Sequence, residues 1–147
     1  MRVVHHLNQF FGGLGGEEKA GTALEVREGA VGPGKLFEQL LGPDAHVVLT
    51  LICGDNYAVE NQEALIAWAL EKIREAKADL LVAGPCFLAG RYGMAAGALC
   101  QLSRWASGKT MLGVGSFQRT SWYQSNWVTW PGPSRMIASP GRRCPST

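Results

Sequence analysis

"HVVLTLICGD", residues 46–55, is a run of β-branched and aliphatic residues interrupted only by Thr50 and closed by Gly54-Asp55. A strand with one face in water alternates apolar with polar residues; this one does not, which is the pattern of a strand buried on both faces. Such strands belong to parallel sheets covered by helices. "NQEALIAWALEKIREAKAD" (61–79) supplies a covering helix, with Leu65, Trp68, Ala69, Lys72 and Ile73 on one side and Glu63, Glu71, Arg74 and Glu75 mainly on the other. "DLLVAGP" (79–85) reads as another buried strand, so residues 46–84 form one β-α-β unit with a right-handed crossover.

On the N-terminal side, Val3 and Val4 start a first strand that ends at the glycine cluster Gly12–Gly16. "TALEVREG" (22–29) reads as a short second strand or an extended loop, and Lys35–Leu41 as a short helix stopped by Gly42-Pro43. Beyond the central unit, "RYGMAAGALCQL" (91–102) suits a helix packed closely on the sheet, although Gly93 and Gly97 cost it stability. The alternation predicts an α/β fold: a partial parallel sheet with flanking helices, Rossmann-like or flavodoxin-like, followed by an irregular tail. In such sheets ligands bind outside the carboxyl ends of the strands. "NQFFGGLGGEEK" (8–19), "CGDNYAVEN" (53–61) and "GPCFLAGRYG" (84–93) each follow a predicted strand as a polar, glycine-rich loop, and neighbouring strands would bring all three to one rim.

The length of 147 residues suits one body with a single core. No stretch of about 20 apolar residues exists to span a bilayer, and "MRVVHHLNQFFGG" lacks the apolar segment of a signal peptide, which points to a soluble cytoplasmic chain. Cys53, Cys86, Cys100 and Cys144 show no C-x-x-C spacing, which disfavours zinc ribbons and thioredoxin-type motifs. All twelve acidic residues fall at or before Asp79, alongside seven basic ones, whereas residues 80–147 carry seven basic residues and no acid. Serine is absent up to Gln101 and occurs eight times from Ser103 onward, together with four of the five tryptophans. Joint shifts of this kind within one domain are unusual. They divide the chain into an α/β domain at 1–101 and an anomalous basic, Ser- and Trp-rich tail at 102–147.

Several motifs invite a chemical reading. "GAVGPGKL" (29–36) has the spacing of a phosphate-binding loop, but Pro33 removes a backbone donor and Leu36 stands where a magnesium-binding hydroxyl should be, so a structural turn is the better reading. Gly15, Gly16 and Lys19 could form a backbone nest for a small anion, or belong to a loop whose Glu17-Glu18 opens a helix. His5 and His6 are adjacent in a strand and point to opposite faces, which argues against a shared metal. Cys53 and Cys86 each end a strand; a ligand-facing thiol, a redox pair and two small buried residues all remain open. Arg91 could take a carboxylate bidentately or pair with Asp55 or Glu60. No Ser/His/Asp set is available, since every serine lies in the tail.

"NQFFGGLGGEEKA" (8–20), "VREGAVGPG" (26–34), "ICGDNYAVEN" (52–61) and "AGPCFLAGRYG" (83–93), in this order and spacing, resemble the N-terminal region of the selenoprotein subunit of component B in glycine, sarcosine and betaine reductases, over residues 2–101. The resemblance implies an oxidoreductase assembly of anaerobic amino-acid fermentation. It cleaves a small amine reductively, with a pyruvoyl carbonyl on a partner subunit activating the amino group in glycine reductase (quaternary betaine cannot form that Schiff base), a selenolate carrying the chemistry, and another selenoprotein passing the acyl fragment towards acetyl phosphate. The family's selenocysteine segment lies far downstream, so this chain is expected to hold no catalytic residue, no metal and no cofactor of its own, and to be inactive alone. Substrate contact would fall on Gly15, Gly16, Lys19, Cys53, Asp55, Asn56, Tyr57, Cys86, Arg91 and Tyr92. The sequence departs from the family pattern at Ala58, where an aromatic is expected, and at Cys86 and Leu88, which replace a small residue and an Asn.

Past Gln101 the resemblance stops, and the expectation is a truncated subunit whose tail is translated out of the ancestral frame. A nucleic-acid-binding arm is the competing reading of the tail, but no RNA-binding motif accompanies its Trp and Arg residues. An independent small-ligand or nucleotide-binding module is the alternative for the whole chain. A sheet cut after its third or fourth strand also predicts poor solubility or self-association.

Overall fold

A computed structural model of the chain describes residues 1–87, 90–107 and 110–113, with side-chain surroundings described as far as Cys100. The elements run β1 (Arg2–Asn8), a 3-10 turn (Glu17–Lys19), β2 (Glu25–Glu28), α1 (Gly34–Leu41), β3 (His46–Cys53), α2 (Asp55–Glu60), α3 (Gln62–Glu75), β4 (Leu80–Ala83), α4 (Gly90–Ser107) and β5 (Thr110–Gly113).

The strands form one sheet in the order β2-β3-β1-β4-β5. β1 pairs parallel with both β3 and β4, and β4 pairs parallel with β5. The two strands of the β-α-β unit are therefore not neighbours, because β1 lies between them. The parallel strands, taken in chain order, lie 2-1-3-4, which is the flavodoxin-like arrangement, and the strand order reverses between β1 and β4.

β2 makes this mostly parallel sheet a mixed one, since it pairs antiparallel with β3. Its sequence EVRE carries three charges in four residues and its side chains alternate between exposed and half-buried. A strand so polar cannot sit in the doubly covered centre; it caps the edge, where reversed direction is common in otherwise parallel sheets.

Both faces of the sheet are covered. Val3, Val47 and Val82 meet Phe37 and Leu41 of α1 on one face. On the other, Val4, Leu51 and Leu81 pack with Ile66, Ala69 and Ile73 of α3 and with Tyr92, Ala96 and Leu99 of α4. Ile66 joins the inward side of α3, which the sequence pattern had not included, while Trp68 is only half-buried. A bulge between Val3 and Val4 in the β1–β3 register lets Val47 face α1 while Leu51 faces α3 and α4.

Two further segments differ from expectation. "DNYAVE", expected within a loop, is the helix α2, which starts where Gly54 ends β3. Regular structure also continues past Gln101, through the end of α4 and into β5, whose residues 110–113 add a strand to the sheet. Leu88 and residues 114–147, including most of the Trp-bearing tail, lie outside the described residues.

Candidate functional site

The point of strand reversal places the ends of β1 and β4 side by side, with the end of β3 next to β1. β1 delivers Asn8 and Gln9, β3 delivers Cys53, Gly54 and Asp55, and β4 runs into Gly84, a cis Gly84–Pro85 peptide, Cys86 and Phe87. The loops that the sequence placed at one rim are tied together by backbone bonds. Gly54 N–H donates to Thr22 O at 2.8 Å, and the N–H groups of Asn56 and Tyr57 donate to Ala20 O at 2.9 and 3.2 Å. Gly54 is required there, since a Cβ would run into the Ala20 carbonyl.

Asp55 is the focus of this end of the sheet. It is only 8 % exposed. Its backbone N–H donates to Gln9 Oε1 at 3.0 Å, and its Oδ2 accepts from Asn8 Nδ2 at 3.3 Å. Asn8 Oδ1 in turn accepts from the Phe11 N–H at 3.0 Å, which fixes the amide's orientation. Asp55 Oδ1 has no hydrogen-bond partner among the described residues. Burial pushes this carboxyl above its usual range; the bonds from Asn8 and Gln9 and the charge of Arg91 oppose that shift, and the charge of Glu17 adds to it.

Beneath Asp55 the interior is neutral. Tyr92, 1 % exposed, donates its hydroxyl to His6 O at 3.0 Å. His6 Nε2 lies 3.4 Å from Cys53 Sγ, and burial pulls this imidazole down to about 3, with His5 contributing in the same direction. Burial, followed by the charge of Asp55, pushes the Cys53 and Cys86 thiols up to about 12. Of the three roles left open for these cysteines, the surroundings favour small buried residues: a thiol held protonated is a poor nucleophile and a poor ligand. His5 faces α1, with Nε2 donating to Gly84 O at 2.6 Å, so the two histidines do lie on opposite sides of the sheet. Among the described residues no group of three His, Cys, Asp or Glu side chains could hold a metal ion.

The rim above Asp55 is charged and aromatic. Arg91, at the start of α4, pairs with Glu17 rather than with Asp55 or Glu60. The reason is placement: Asp55 is buried at the start of α2, while Glu17 sits exposed on the 3-10 turn facing α4. Phe10, Phe11 and Phe87 form a chain of ring contacts, at 5.3 Å between Phe10 and Phe11 and 5.8 Å between Phe11 and Phe87, that bridges the ends of β1 and β4. Phe10 and Phe87 are 64 % and 58 % exposed.

The remaining expected contacts divide. The Gly15–Gly16 nest holds an anion already, the chain's own Glu18 carboxylate, which accepts from Gly16 N–H at 2.9 Å; Lys19 is exposed beside it. Asn56 is fixed through its backbone, and Tyr57 packs against the cluster of Cys53, Ala58, Leu65 and Ala95. The 29–36 segment is a packed turn: Gly32 approaches the Phe11 carbonyl and Gly34 approaches His5 too closely for any Cβ. Asn8, Gln9 and the Phe rim are not among the side chains the sequence singles out, although the quoted loops contain them, and Glu17 is read there only as opening a helix. The signal was positional: Asn-Gln directly follows an otherwise buried strand. A shallow groove of about 520 Å³, lined by Arg2, Glu28, Val48 and Glu75 among others, lies at the opposite end of the sheet.

Comparison with known proteins gives this arrangement a context. The family model described as glycine/sarcosine/betaine reductase selenoprotein B matches residues 1–114. Glycine reductase complex component B subunit gamma of Symbiobacterium thermophilum is 55 % identical over 102 residues, covering 69 % of this chain and 24 % of the relative. Sarcosine reductase complex component B subunit beta of Peptoclostridium acidaminophilum is 52 % identical over 101 residues, covering 69 % and 23 %. Betaine reductase complex component B subunit beta of the same organism is 37 % identical over 101 residues, with the same coverage of 69 % and 23 %. The aligned region thus spans about a quarter of the length of these relatives. No solved structure matches.

Proposed function

This chain belongs to the glycine/sarcosine/betaine reductase selenoprotein B family, and we propose that its α/β body is the amine-facing part of component B in a cytoplasmic reductase complex. The observation that carries this reading is the gathering of Asn8, Gln9, Asp55 and Arg91 at the point of strand reversal, where sheets of this order bind ligands. The substrate is a small amine of the glycine, sarcosine or betaine type, and the reaction of the assembled complex is its reductive cleavage towards acetyl phosphate.

Within that reaction the residues described here bind and orient; they do not attack. Burial holds Cys53, Cys86 and Cys100 protonated, with thiols pushed up to about 12, so none fits the role of a selenolate. The nucleophile and the activating pyruvoyl carbonyl are supplied from outside these residues, the latter by a partner subunit, with a further selenoprotein receiving the acyl fragment. The chain is inactive without them. Cys53, Cys86 and Tyr92 form the floor of the binding site, Asp55 and Arg91 present its charges, and Gly15, Gly16, Lys19, Asn56 and Tyr57 hold the loops that border it.

Calorimetric titration of the chain with glycine, sarcosine, betaine and Mg-ATP tests this reading. Heat on addition of at least one amine and none with Mg-ATP is expected. Magnesium-dependent ATP binding with no response to any amine would replace it with a nucleotide-binding module.

A further inference from the structure

An aromatic patch stands open at the rim. Phe10 and Phe87 are each more than half exposed, and Phe11 joins them, its ring centroid 5.3 Å from that of Phe10 and 5.8 Å from that of Phe87. Aromatic rings gain much by leaving water, and a linked group of them left exposed marks a surface that something covers. Phe87 also holds φ at 45°, a left-handed conformation that bulky residues rarely adopt, and strain of this kind collects at ligand clamps and binding sites.

The sheet topology points to what covers the patch. β5 runs parallel to β4 with Gly113 beside Ala83, so the chain leaves the sheet at the end that bears Phe87. Phe87 follows Ala83 by four residues, which keeps its Cα within about 20 Å of Gly113, whereas the nine residues from Gly113 to Trp122 extend to about 30 Å. The segment delivered there, residues 114–147, carries Trp122, Trp127 and Trp130 and four arginines but no acid. Residues 1–113 carry twelve acids against ten basic residues, and Glu17, Glu18 and Glu60 are exposed on the loop after β1 and on α2, with Lys19 and Arg91 nearby. We propose that the segment 114–147 folds back on its own chain, with its tryptophans against Phe10 and Phe87 and its arginines among the acids of that rim, and closes this end of the sheet. The inference does not rest on the amine-facing reading; it makes the segment a competitor for whatever the rim binds.

A spin label in the full chain tests this. In Ser125→Cys combined with Cys144→Ser, a nitroxide attaches at position 125, since Cys53, Cys86 and Cys100 are buried. In nitrogen-15 spectra, amide signals of Phe10–Lys19, Cys86, Phe87 and Arg91 should weaken several-fold relative to the reduced label, while those of Arg2, Glu28 and Glu75 stay unchanged. A mixture of nitrogen-15 chain without label and spin-labelled chain at natural abundance should show no such loss. Rim signals no weaker than those at the opposite end overturn the inference, and equal loss in the mixture overturns it in favour of a second copy. A measurement without the label gives an independent check: Phe10→Ser with Phe87→Ser, both at exposed positions, should steepen acrylamide quenching of the tryptophan emission, and unchanged quenching overturns the inference. None of these failures touches the amine-facing reading, which stands or falls on the calorimetric titration.

Discussion

His5 and His6 are buried in the central strand as neutral imidazoles, and each keeps an unpartnered Nδ1 among the described residues. Their folded pKa values lie below the ordinary 6.5, that of His6 at about 3, so between those values the unfolded chain binds more protons than the folded one. Their contribution to stability is therefore present above about pH 6.5 and falls as pH drops below it, for His6 at up to about 1.4 kcal/mol per pH unit down to about pH 3 and for His5 in the same direction. Asp55 acts with the opposite sign: its raised pKa means that protonation favours the folded state, which offsets part of the loss near the acid end. Urea denaturation at pH 7.5, 6 and 5 should show a falling midpoint. A midpoint constant over this range would show that the imidazoles are not buried neutral. Burial makes a parallel statement about the thiols. Iodoacetamide at pH 8, read out by peptide mass mapping, should leave Cys53, Cys86 and Cys100 unmodified in the native chain and label all three in urea, and native labelling of Cys53 would contradict the neutral floor beneath Asp55.

The turn from β3 into α2 carries the strictest steric demand of any element boundary at the rim, because the loop after β1 lies directly against Gly54. Gly54→Ala must push the Ala20 carbonyl away and break the bonds that join Ala20–Thr22 to α2, and should cost about 3 kcal/mol by urea denaturation. Gly21→Ala, with open space around its Cβ, should stay within about 0.5 kcal/mol. Equal effects would mean that the loop is not seated on Gly54. The elements themselves were legible where one physical signal dominated: β3 and β4 as unbroken apolar runs, α3 by its period, α1 between Pro33 and Gly42. The misses have specific causes. α2 is a six-residue helix containing Asp55, Asn56 and Tyr57, types equally at home in loops, and tertiary contacts with Ala20 decide its state. The direction of β2 depends on which edge receives it, and four residues carry no record of that.

At the scale of the molecule, the sheet order is what the local signals could not supply. A β-α-β unit reads the same whether its strands are neighbours or straddle a third, so the insertion of β1 between β3 and β4, and with it the position of the crevice, had to come from the structure. That insertion makes β1 the most enclosed strand, buried from Val3 to Asn8 and paired on both sides, while β2 lies at an edge and is half exposed. Amide hydrogen exchange should accordingly be slowest along β1 and faster along β2. α4 runs past the composition break at Gln101 to Ser107, β5 follows at Thr110–Gly113, and the family match reaches residue 114. What the fold does for function comes down to whether the ends of β1, β3 and β4 receive a small zwitterion. Nitrogen-15 correlation spectra of the chain titrated with glycine address this directly. Shifts confined to Gln9–Lys19, Gly54–Tyr57, Gly84–Phe87 and Gly90–Tyr92 are the expected result, and shifts centred on Arg2, Glu28 and Glu75 at the opposite end of the sheet would contradict it.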